Sequence, residues 1–570
     1  MRNLEAIQQN TYDLIVIGGG VNGAGVARDA ALRGLKTILL EKDDFASGTS
    51  SWSTRLVHGG LRYLEYFEFS LVRESLRERE ILLRTAPHLV KPLMLTVPVY
   101  GERSRPYWKI NAGMILYDIF SFDKTLPGHR MLSKRKFQQV FRHLDTENLS
   151  GGAQYYDATA AYAERLCLEN ILAAEKAGAT VLNYAQVQQL QRSGDRITQV
   201  AVTDRLTDTE FTVRGSENAV VINTSGPWVD QVCQRGVENG QTVSLSKDRK
   251  IGGTKGSHII VDSFAGAPET ALYVEAKSDG RPFFIVPWLG KVLIGTTDIP
   301  YQGNLDTVKA SNEEIDYLLT ETNLVIPSAQ LTRDDVQFTY SGVRPLPNRE
   351  DKKPGSVTRR HILYDHTPDN VSNLISLIGG KLTTYRQVGE ELVDAAYKKM
   401  NKKAPACPTH RKPLPGAIWP SDLQLQEALR QYSDRLRLAT LHHLFAMYGR
   451  RALEVLALCD ETPELAEGCG APGYPDIKAQ VVYAIQKEHA RTLLDIMRRR
   501  TVLAMQGNYG FDAVDTVVKT LQQYGGWSAN QSDREINAYR TYMENNCIPE
   551  YDLPAYQKEL SAIRTREIPG

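Results

Sequence analysis

The sequence has no CxxC pair, no cluster of histidine and cysteine at metal-ligand spacing, no long hydrophobic run and almost no net charge. Each absence removes a class of function. The six cysteines (Cys167, Cys233, Cys407, Cys459, Cys469 and Cys547) are scattered. They read as reduced, mostly buried thiols of a cytoplasmic protein, and neither a disulfide scaffold nor a metal site is expected. No apolar run reaches the roughly 18–20 residues of a membrane-spanning helix. A formal charge of +1 gives no global reason to expect nucleic acid as a partner. Residues Met1 to Tyr12 lack the apolar core of a secretory signal and are too short and too poor in arginine and serine for a transit peptide. There is no internal repeat and no low-complexity tract.

What is present is an ordinary globular composition, 42% hydrophobic and 24% charged, in 570 residues. That length exceeds one simple core, so two or three domains are expected. Asp13–Ile17 is an apolar run that stops at glycines, as a buried parallel strand does. Val21–Leu32 is rich in alanine and helical in pattern, Gly34 ends it, and Thr37–Leu40 is a second strand followed directly by Glu41. Phe69–Thr85 reads as an amphipathic helix with Val72, Leu76 and Leu83 on one side and Arg73, Glu74, Arg77 and Glu78 solvated. Ala158–Ala177 reads as a helix, Thr180–Leu182 as a strand, and charged strands run on to about residue 214 before the buried strand Asn218–Asn223. Further strands are expected at Ser257–Val261, Phe283–Val286, Val292–Gly295 and Asn373–Ile378, the last leading through Gly379-Gly380 into a helix from about Thr383. The Lys- and Pro-rich stretch 398–415 reads as a linker. A helical tail follows, in which Arg498-Arg499-Arg500 reads as a solvated face.

Gly18-Gly19-Gly20-Val21-Asn22-Gly23 fits GxGxxG inside this β-α-β unit. Gly18 permits a tight turn, Gly20 lets a pyrophosphate approach the backbone, and Gly23 lets helix and strand pack closely. The helix N-terminus turns N–H groups and a positive dipole end toward phosphates, and Glu41 is placed to accept hydrogen bonds from a ribose. The motif alone does not separate FAD from NAD. Two later turns favour FAD. The strand ending in Thr224-Ser225-Gly226 resembles the flavin-contacting turn of the glutathione-reductase-like fold. Gly379-Gly380 can set N–H groups against a flavin pyrimidine oxygen. Each of these turns, read alone, is more often a simple turn or cap.

Longer motifs carry a more specific resemblance. Thr49-Ser50-Ser51 followed by Arg55-Leu56-Val57-His58-Gly59-Gly60-Leu61-Arg62-Tyr63-Leu64-Glu65 resembles the signature of the FAD-dependent glycerol-3-phosphate dehydrogenases. So do Lys255-Gly256-Ser257-His258, Tyr340-Ser341-Gly342-Val343-Arg344-Pro345 and Gly379-Gly380-Lys381-Leu382-Thr383-Thr384-Tyr385-Arg386. The resemblance runs from about Asp13 to about Glu390 and more loosely through the tail. It implies an α/β + α architecture: a Rossmann-like FAD-binding domain of the glutathione-reductase/D-amino-acid-oxidase kind, a mixed β-sheet substrate domain, and a C-terminal helical domain. The expected division is a discontinuous FAD-binding part at about 12–90, 150–240 and 340–398 with substrate segments at about 91–149 and 241–339. A linker at 401–415 and a helical domain at 416–560 follow. FAD-binding roles fall by resemblance on Thr49, Ser50, Ser51, Arg55, Gly59, Ser225, Gly226, Gly380, Leu382 and Thr383, beside Gly18, Gly20, Asn22, Gly23 and Glu41.

The implied reaction is oxidation of sn-glycerol 3-phosphate to dihydroxyacetone phosphate, with electrons passing through FAD to a membrane quinone. A dianionic phosphate needs convergent cations, and the arginine fork suits it. The resemblance places Arg62, Arg344 and Lys381 at or beside this role, with Arg359 a further candidate. The plainer reading of any one arginine is an ion pair. An alcohol needs an acceptor for its hydroxyl proton, and His58 and His258 are the candidates, either of which could instead hydrogen-bond FAD or the backbone. Tyr63 could donate to substrate or pack in the core. Arg344 and Lys381 count as catalytic candidates too. No metal is required. Some mitochondrial relatives carry calcium-binding loops, and no DxDxDG-type loop occurs here, so a bacterial-type version without calcium control is expected. Around Arg103–Phe120, Arg103, Arg105 and Lys109 flank Tyr107, Trp108, Ile110, Met114, Ile115 and Leu116. This is either an interfacial segment, giving peripheral attachment to the inner face of the plasma membrane, or a buried helix with a basic collar. The helical tail is expected to cap the fold or make a homodimer contact. The rival readings are a glycerol-3-phosphate oxidase releasing peroxide, an amine or amino-acid oxidase, and a non-catalytic FAD-binding protein.

Overall fold

The computed structural model describes residues 3–101, 106–348 and 360–557. Among them the chain forms two ten-stranded sheets and a helical C-terminal part, the architecture expected from the sequence. The first sheet is built around Thr11–Ile17, which is flanked in parallel by Thr37–Leu40 and by the second half of Thr209–Asn223. Thr180–Leu182 and Leu374–Ile378 extend it, again in parallel. Thr37–Leu40 and Leu374–Ile378 are buried throughout, as strands covered on both faces are. An antiparallel wing of Ala185–Ser193, Arg196–Asp204 and the first half of Thr209–Asn223 continues it, and the short strands Gly236–Glu238, Gln241–Val243 and Ile362–Asp365 complete it.

The helix Val21–Leu32 forms with the boundaries read from sequence. It is held between Ala163–Lys176 and Tyr385–Lys399. A Cβ on Gly25 would lie 2.9 Å from the Tyr385 ring, and one on Gly389 would lie 2.9 Å from the Gly25 backbone. The missing side chains therefore set how closely these helices cross.

The second sheet runs antiparallel through Thr254–Asp262, Lys291–Gly295, Pro282–Trp288 and Ala271–Glu275. It meets Val90–Tyr100 in parallel and continues antiparallel into Leu149–Ala160 and Leu56–Val57. Val336–Arg344 lies antiparallel against Thr254–Asp262. Segments assigned from sequence to the dinucleotide part, at 56–57, 150–160 and 340–344, thus supply strands to this sheet.

Several local expectations change. Residues 158–160 close the strand Leu149–Ala160 by pairing with 90–92 and 56–57, and the helix begins only at Ala163. The alanines there fill a sheet seam rather than a helix face. The late helix starts at Tyr385, two residues after Thr383. Glu78 is buried, because Arg386 grips both its oxygens at 2.6 and 2.8 Å. The expected linker is a strap packed on the first helix. Arg28 donates to the Lys412 carbonyl at 2.6 Å, Cys407 donates to Asp29 at 3.0 Å, and the Leu414 amide donates to the Thr85 carbonyl at 2.8 Å. Arg498, Arg499 and Arg500 are buried, not solvated. The helix Tyr107–Phe120 buries only Met114 and Tyr117, so it is no buried helix; Arg103 and Arg105 of its expected collar lie outside the described residues. No described helix is long and apolar enough to cross a membrane.

Candidate active site

Two cavities meet at the seam between the sheets. The smaller, about 230 Å³, is lined by Gly18, Gly20, Val21, Asn22, Glu41, Thr49, Ser50, Thr224, Ser225, Gly226 and Gly379 to Leu382, among others. It lies at the carboxyl ends of the parallel strands, where open α/β sheets bind ligands. Gly18 has φ +104° and its Cβ position is 2.7 Å from the Thr224 carbonyl oxygen, while a Cβ on Gly23 would lie 1.9 Å from the Gly18 carbonyl oxygen. Only glycine fits either place, which closes the turn and seats the helix on the strand. Gly20 brings no capping side chain of its own, and Ser50 Oγ takes up only the Val21 amide at 2.9 Å, so the rest of the first turn keeps an anion-binding character. The carboxylate of Glu41 accepts from the Gly19 amide at 2.6 Å and the Asp43 amide at 2.9 Å. Burial foremost, with the charge of Asp43 adding to it, pushes the Glu41 carboxyl up to about 7. Asn22 Oδ1 is buried here with no partner among the described residues. A glycine turn, a helix N-terminus that begins at a glycine, a buried carboxylate and an orphaned acceptor together fit the pyrophosphate and sugar hydroxyls of an adenine dinucleotide.

The larger cavity, about 780 Å³, is lined by His58, Arg62, Tyr63, His258, Arg281, Arg344 and Lys381 among others, and shares Thr49, Ser53, Pro345 and Gly379 to Leu382 with the smaller one. His58 follows directly on the strand Leu56–Val57 and packs edge-on to Phe284 with ring centroids 6.1 Å apart. Burial, against the pull of Asp157 and with the push of Lys381, holds its pKa below the usual imidazole range. The strand register places His258 opposite Gly295 and Tyr340. A Cβ on Gly295 would meet the imidazole at 2.3 Å, so glycine makes room for the ring. Tyr340 stacks on it at 4.7 Å, and Nε2 meets the Thr54 hydroxyl at 2.9 Å. Burial first, then Arg344 and Arg55, drives His258 well below the usual range. Both imidazoles are therefore neutral at pH 7.

Arg344 ends the strand Val336–Arg344, with Nη1 3.0 Å from Asp298 and Nη2 2.9 Å from the Thr296 hydroxyl. The Lys381 ammonium sits 4.1 Å from the Tyr63 ring centre, and Arg62 donates to the Tyr66 hydroxyl at 3.2 Å. Among the described lining residues, the cations Arg62, Arg281, Arg344 and Lys381 face the carboxylates Glu68 and Asp298. The positive excess suits an anionic ligand.

Not every residue singled out from sequence lines a cavity. Arg55 turns inward, its guanidinium held by both Glu164 oxygens at 2.7 Å. Ser51 is buried and donates to the Ala46 carbonyl at 2.6 Å. A Cβ on Gly59 would lie 2.4 Å from the Tyr117 hydroxyl, so this glycine backs the wall without forming it. Arg359 lies outside the described residues. Leu382 and Thr383 line the larger cavity. Sequence reading missed Arg281, Phe284, Thr296 and Asp298, which no motif marks, and Trp52 and Thr54, which lie in the gap between the quoted stretches Thr49–Ser51 and Arg55–Glu65.

Residues 13–394 match the family described as FAD dependent oxidoreductase, and residues 407–532 match the C-terminal domain of alpha-glycerophosphate oxidase. The chain is 62% identical over 556 residues to a glycerol-3-phosphate dehydrogenase of Synechocystis sp., covering 97% of this chain and all of that one. It is 39% identical over 498 residues to D-erythritol 1-phosphate dehydrogenase of Brucella abortus, covering 87% and 95% of the two chains. The crystal structure of glycerol-3-phosphate dehydrogenase from Bacillus halodurans complexed with FAD aligns with a TM-score of 0.75 at 30% identity, covering 95% of this chain and 96% of that one.

Proposed function

Because the chain belongs to the FAD-dependent glycerol-3-phosphate dehydrogenases, we propose that it oxidises sn-glycerol 3-phosphate to dihydroxyacetone phosphate in the larger cavity and passes the electrons to a membrane quinone. One observation carries the substrate reading. Four cations and two neutral imidazoles line a cavity that shares a wall with the dinucleotide cradle. Arg344 takes the phosphate as a fork, with Lys381 and Arg62 adding charge. Asp298 and Thr296 hold that fork in place. His258 receives the hydroxyl proton. Its ring is fixed by the Tyr340 stack and by Thr54, and its neutral form can accept. Bound FAD supplies the two-electron acceptor for the hydride of the alcohol carbon. Gly18, Gly20, Asn22, Glu41, Ser50 and Ser225 to Gly226 are the residues that would hold it.

The acceptor reading rests on an apolar apron. Tyr66, Phe67, Phe69, Trp108, Ile115, Ile119 and Phe122 are exposed. Phe67 adjoins Phe69 at 5.9 Å, and Phe69 adjoins the half-buried Phe120 at 5.6 Å. Tyr66 and Glu68 also line the substrate cavity, so the apron begins at its mouth. An exposed apolar surface of this kind suits the membrane interface, here the inner face of the plasma membrane. A homodimer through the C-terminal domain would cover Leu423, which is 81% exposed, and Leu438, which is 57% exposed; sedimentation of the detergent-dispersed protein at two concentrations reads it.

The flavin is the direct test. Anaerobic addition of glycerol 3-phosphate to the yellow protein bleaches its absorption band, and a quinone analogue restores it. A band that persists rejects the substrate. Fast reoxidation by air with stoichiometric peroxide transfers the protein to the oxidases.

A further inference from the structure

The C-terminal domain is anchored on the dinucleotide loop by three consecutive buried arginines. They lie on a single π-helical turn, Ile496–Arg500, entered through a capping box between Thr492 and Asp495. Arg500 places Nη1 and Nη2 on the two Asp44 oxygens at 2.7 and 2.8 Å. Arg499 Nε meets Asp44 Oδ2 at 2.6 Å, and its Nη2 meets Asp495 at 2.7 Å. Arg498 bonds Glu164 at 2.7 Å, donates to the Ser51 carbonyl at 3.4 Å and lies 4.5 Å from the Trp52 ring centre. Glu164 is the same carboxylate that holds Arg55. The domain thus grips the segment 44–55 at both ends.

That segment forms the outer wall of the cofactor cradle. The Ala46 amide donates to the Gly19 carbonyl at 3.0 Å. Ser50 Oγ accepts from the Val21 amide at 2.9 Å. Thr49 and Ser50 line the dinucleotide cavity, while Asp44 does not. Asp44 is fully buried and faces Arg499, Arg500 and the Asn183 amide. A buried carboxylate deprived of such partners does not stay charged in place, so the loop's position depends on the arginines.

We propose that Arg499 and Arg500, acting through Asp44, are positioning residues for FAD, and that the C-terminal domain is a working part of the cofactor site. FAD affinity and the docking of the π-helical turn are then linked, and linkage is reciprocal. The loop must be ordered before the cofactor sees a complete wall. Docking of the arginine turn supplies that order before FAD arrives, which lowers the ordering cost of binding. The inference uses only FAD binding and stands whichever histidine takes the proton and whichever acceptor takes the electrons.

The test reads both directions. Hydrogen–deuterium exchange of the wild-type apoprotein and its FAD-reconstituted form is followed in the segment 492–501. Exchange there is expected to slow at least fivefold on reconstitution, although none of these residues lines the dinucleotide cavity. In the other direction, Arg500→Lys keeps the charge and loses the fork, and Asp44→Asn loses the charge. The FAD dissociation constant is expected to rise about 3-fold or more in the first and about 10-fold or more in the second. At saturating FAD, KM for glycerol 3-phosphate stays within twofold of wild type. Unchanged exchange in wild type, or variants that fold and bind FAD as tightly as wild type, overturns the proposal. Should a variant fail to fold, the wild-type exchange measurement decides alone.

Discussion

Arg344 and His258 face the same cavity, and in the proposed reaction they act on different parts of the substrate, so their losses should separate. Arg344→Lys keeps a cation and gives up the fork; KM for glycerol 3-phosphate is expected to rise about 10- to 100-fold, the worth of one or two charged hydrogen bonds, with FAD retained. His258→Asn is expected to lower kcat about 10²- to 10⁴-fold with little change in KM. Steady-state kinetics with the flavin content measured in parallel checks both, and the reverse pattern would exchange the two roles. Glu41 gives a third expectation. In the chain alone its carboxyl is held up to about 7. Ribose hydroxyls donating to it favour the charged form and lower its pKa, so binding releases a proton. FAD affinity should therefore strengthen as pH rises from 6 to 8, and Glu41→Gln should flatten that dependence in a fluorescence titration. At this scale the sequence was legible where a motif fixes the backbone, as at Gly18, Gly23 and Glu41. It was not legible where the question is which way a loop residue turns. Arg55 and Ser51 sit within a few positions of Thr49 and Ser50, yet they point into the core, because Glu164 and the Ala46 carbonyl lie there.

Helices and strands with a single clean period came through with their ends intact, as Val21–Leu32 and Phe69–Thr85 did. The strand Leu149–Ala160 did not, because its small residues carry no period and the stretch misread as helix, 158–160, pairs with 90–92 and 56–57, far away in sequence. The arginines 498–500 mislead for the same reason: of their carboxylates only Asp495 is local, while Asp44 and Glu164 lie more than three hundred residues earlier. The sequence of the helix Tyr107–Phe120 fits two readings, and its exposed Trp108, 71% accessible, and Ile119, 59% accessible, favour the interfacial one. Flotation with anionic liposomes should carry the wild-type protein upward, and a Trp108→Ser/Ile119→Ser pair should leave most of it in the dense fraction with its flavin intact. Equal flotation of the two would remove this helix from the membrane contact.

The whole molecule is held by charges that its interior cannot release singly. The strap at 401–415, the Asp44 cluster and the Glu164 cluster tie the helical part to both sheets. Thermal unfolding and flavin release are thus expected to coincide. Acid is the weak direction. His88 is buried with neither ring nitrogen partnered among the described residues, and burial lowers its pKa to about 4. His258, His58 and His366 are lowered as well. The unfolded imidazoles take up protons below about 6.5. Stability from these groups is therefore complete above that pH and is lost as pH falls toward 4. The His88 share reaches roughly 3 kcal/mol, while Glu41 works in the opposite sense between its unfolded value and 7. Tm measured from pH 7.5 to 5 should fall, and His88→Leu should make the fall shallower.

The wall from Gly379 to Leu382 serves two cavities at once. A lineage altering that wall would disturb cofactor and substrate together, so it is a poor place for evolutionary drift in specificity. Descendants that take a longer or shorter polyol phosphate should instead carry their changes across the cavity, at Tyr273, Arg281 and Phe284, where a substitution alters one ligand and spares the other.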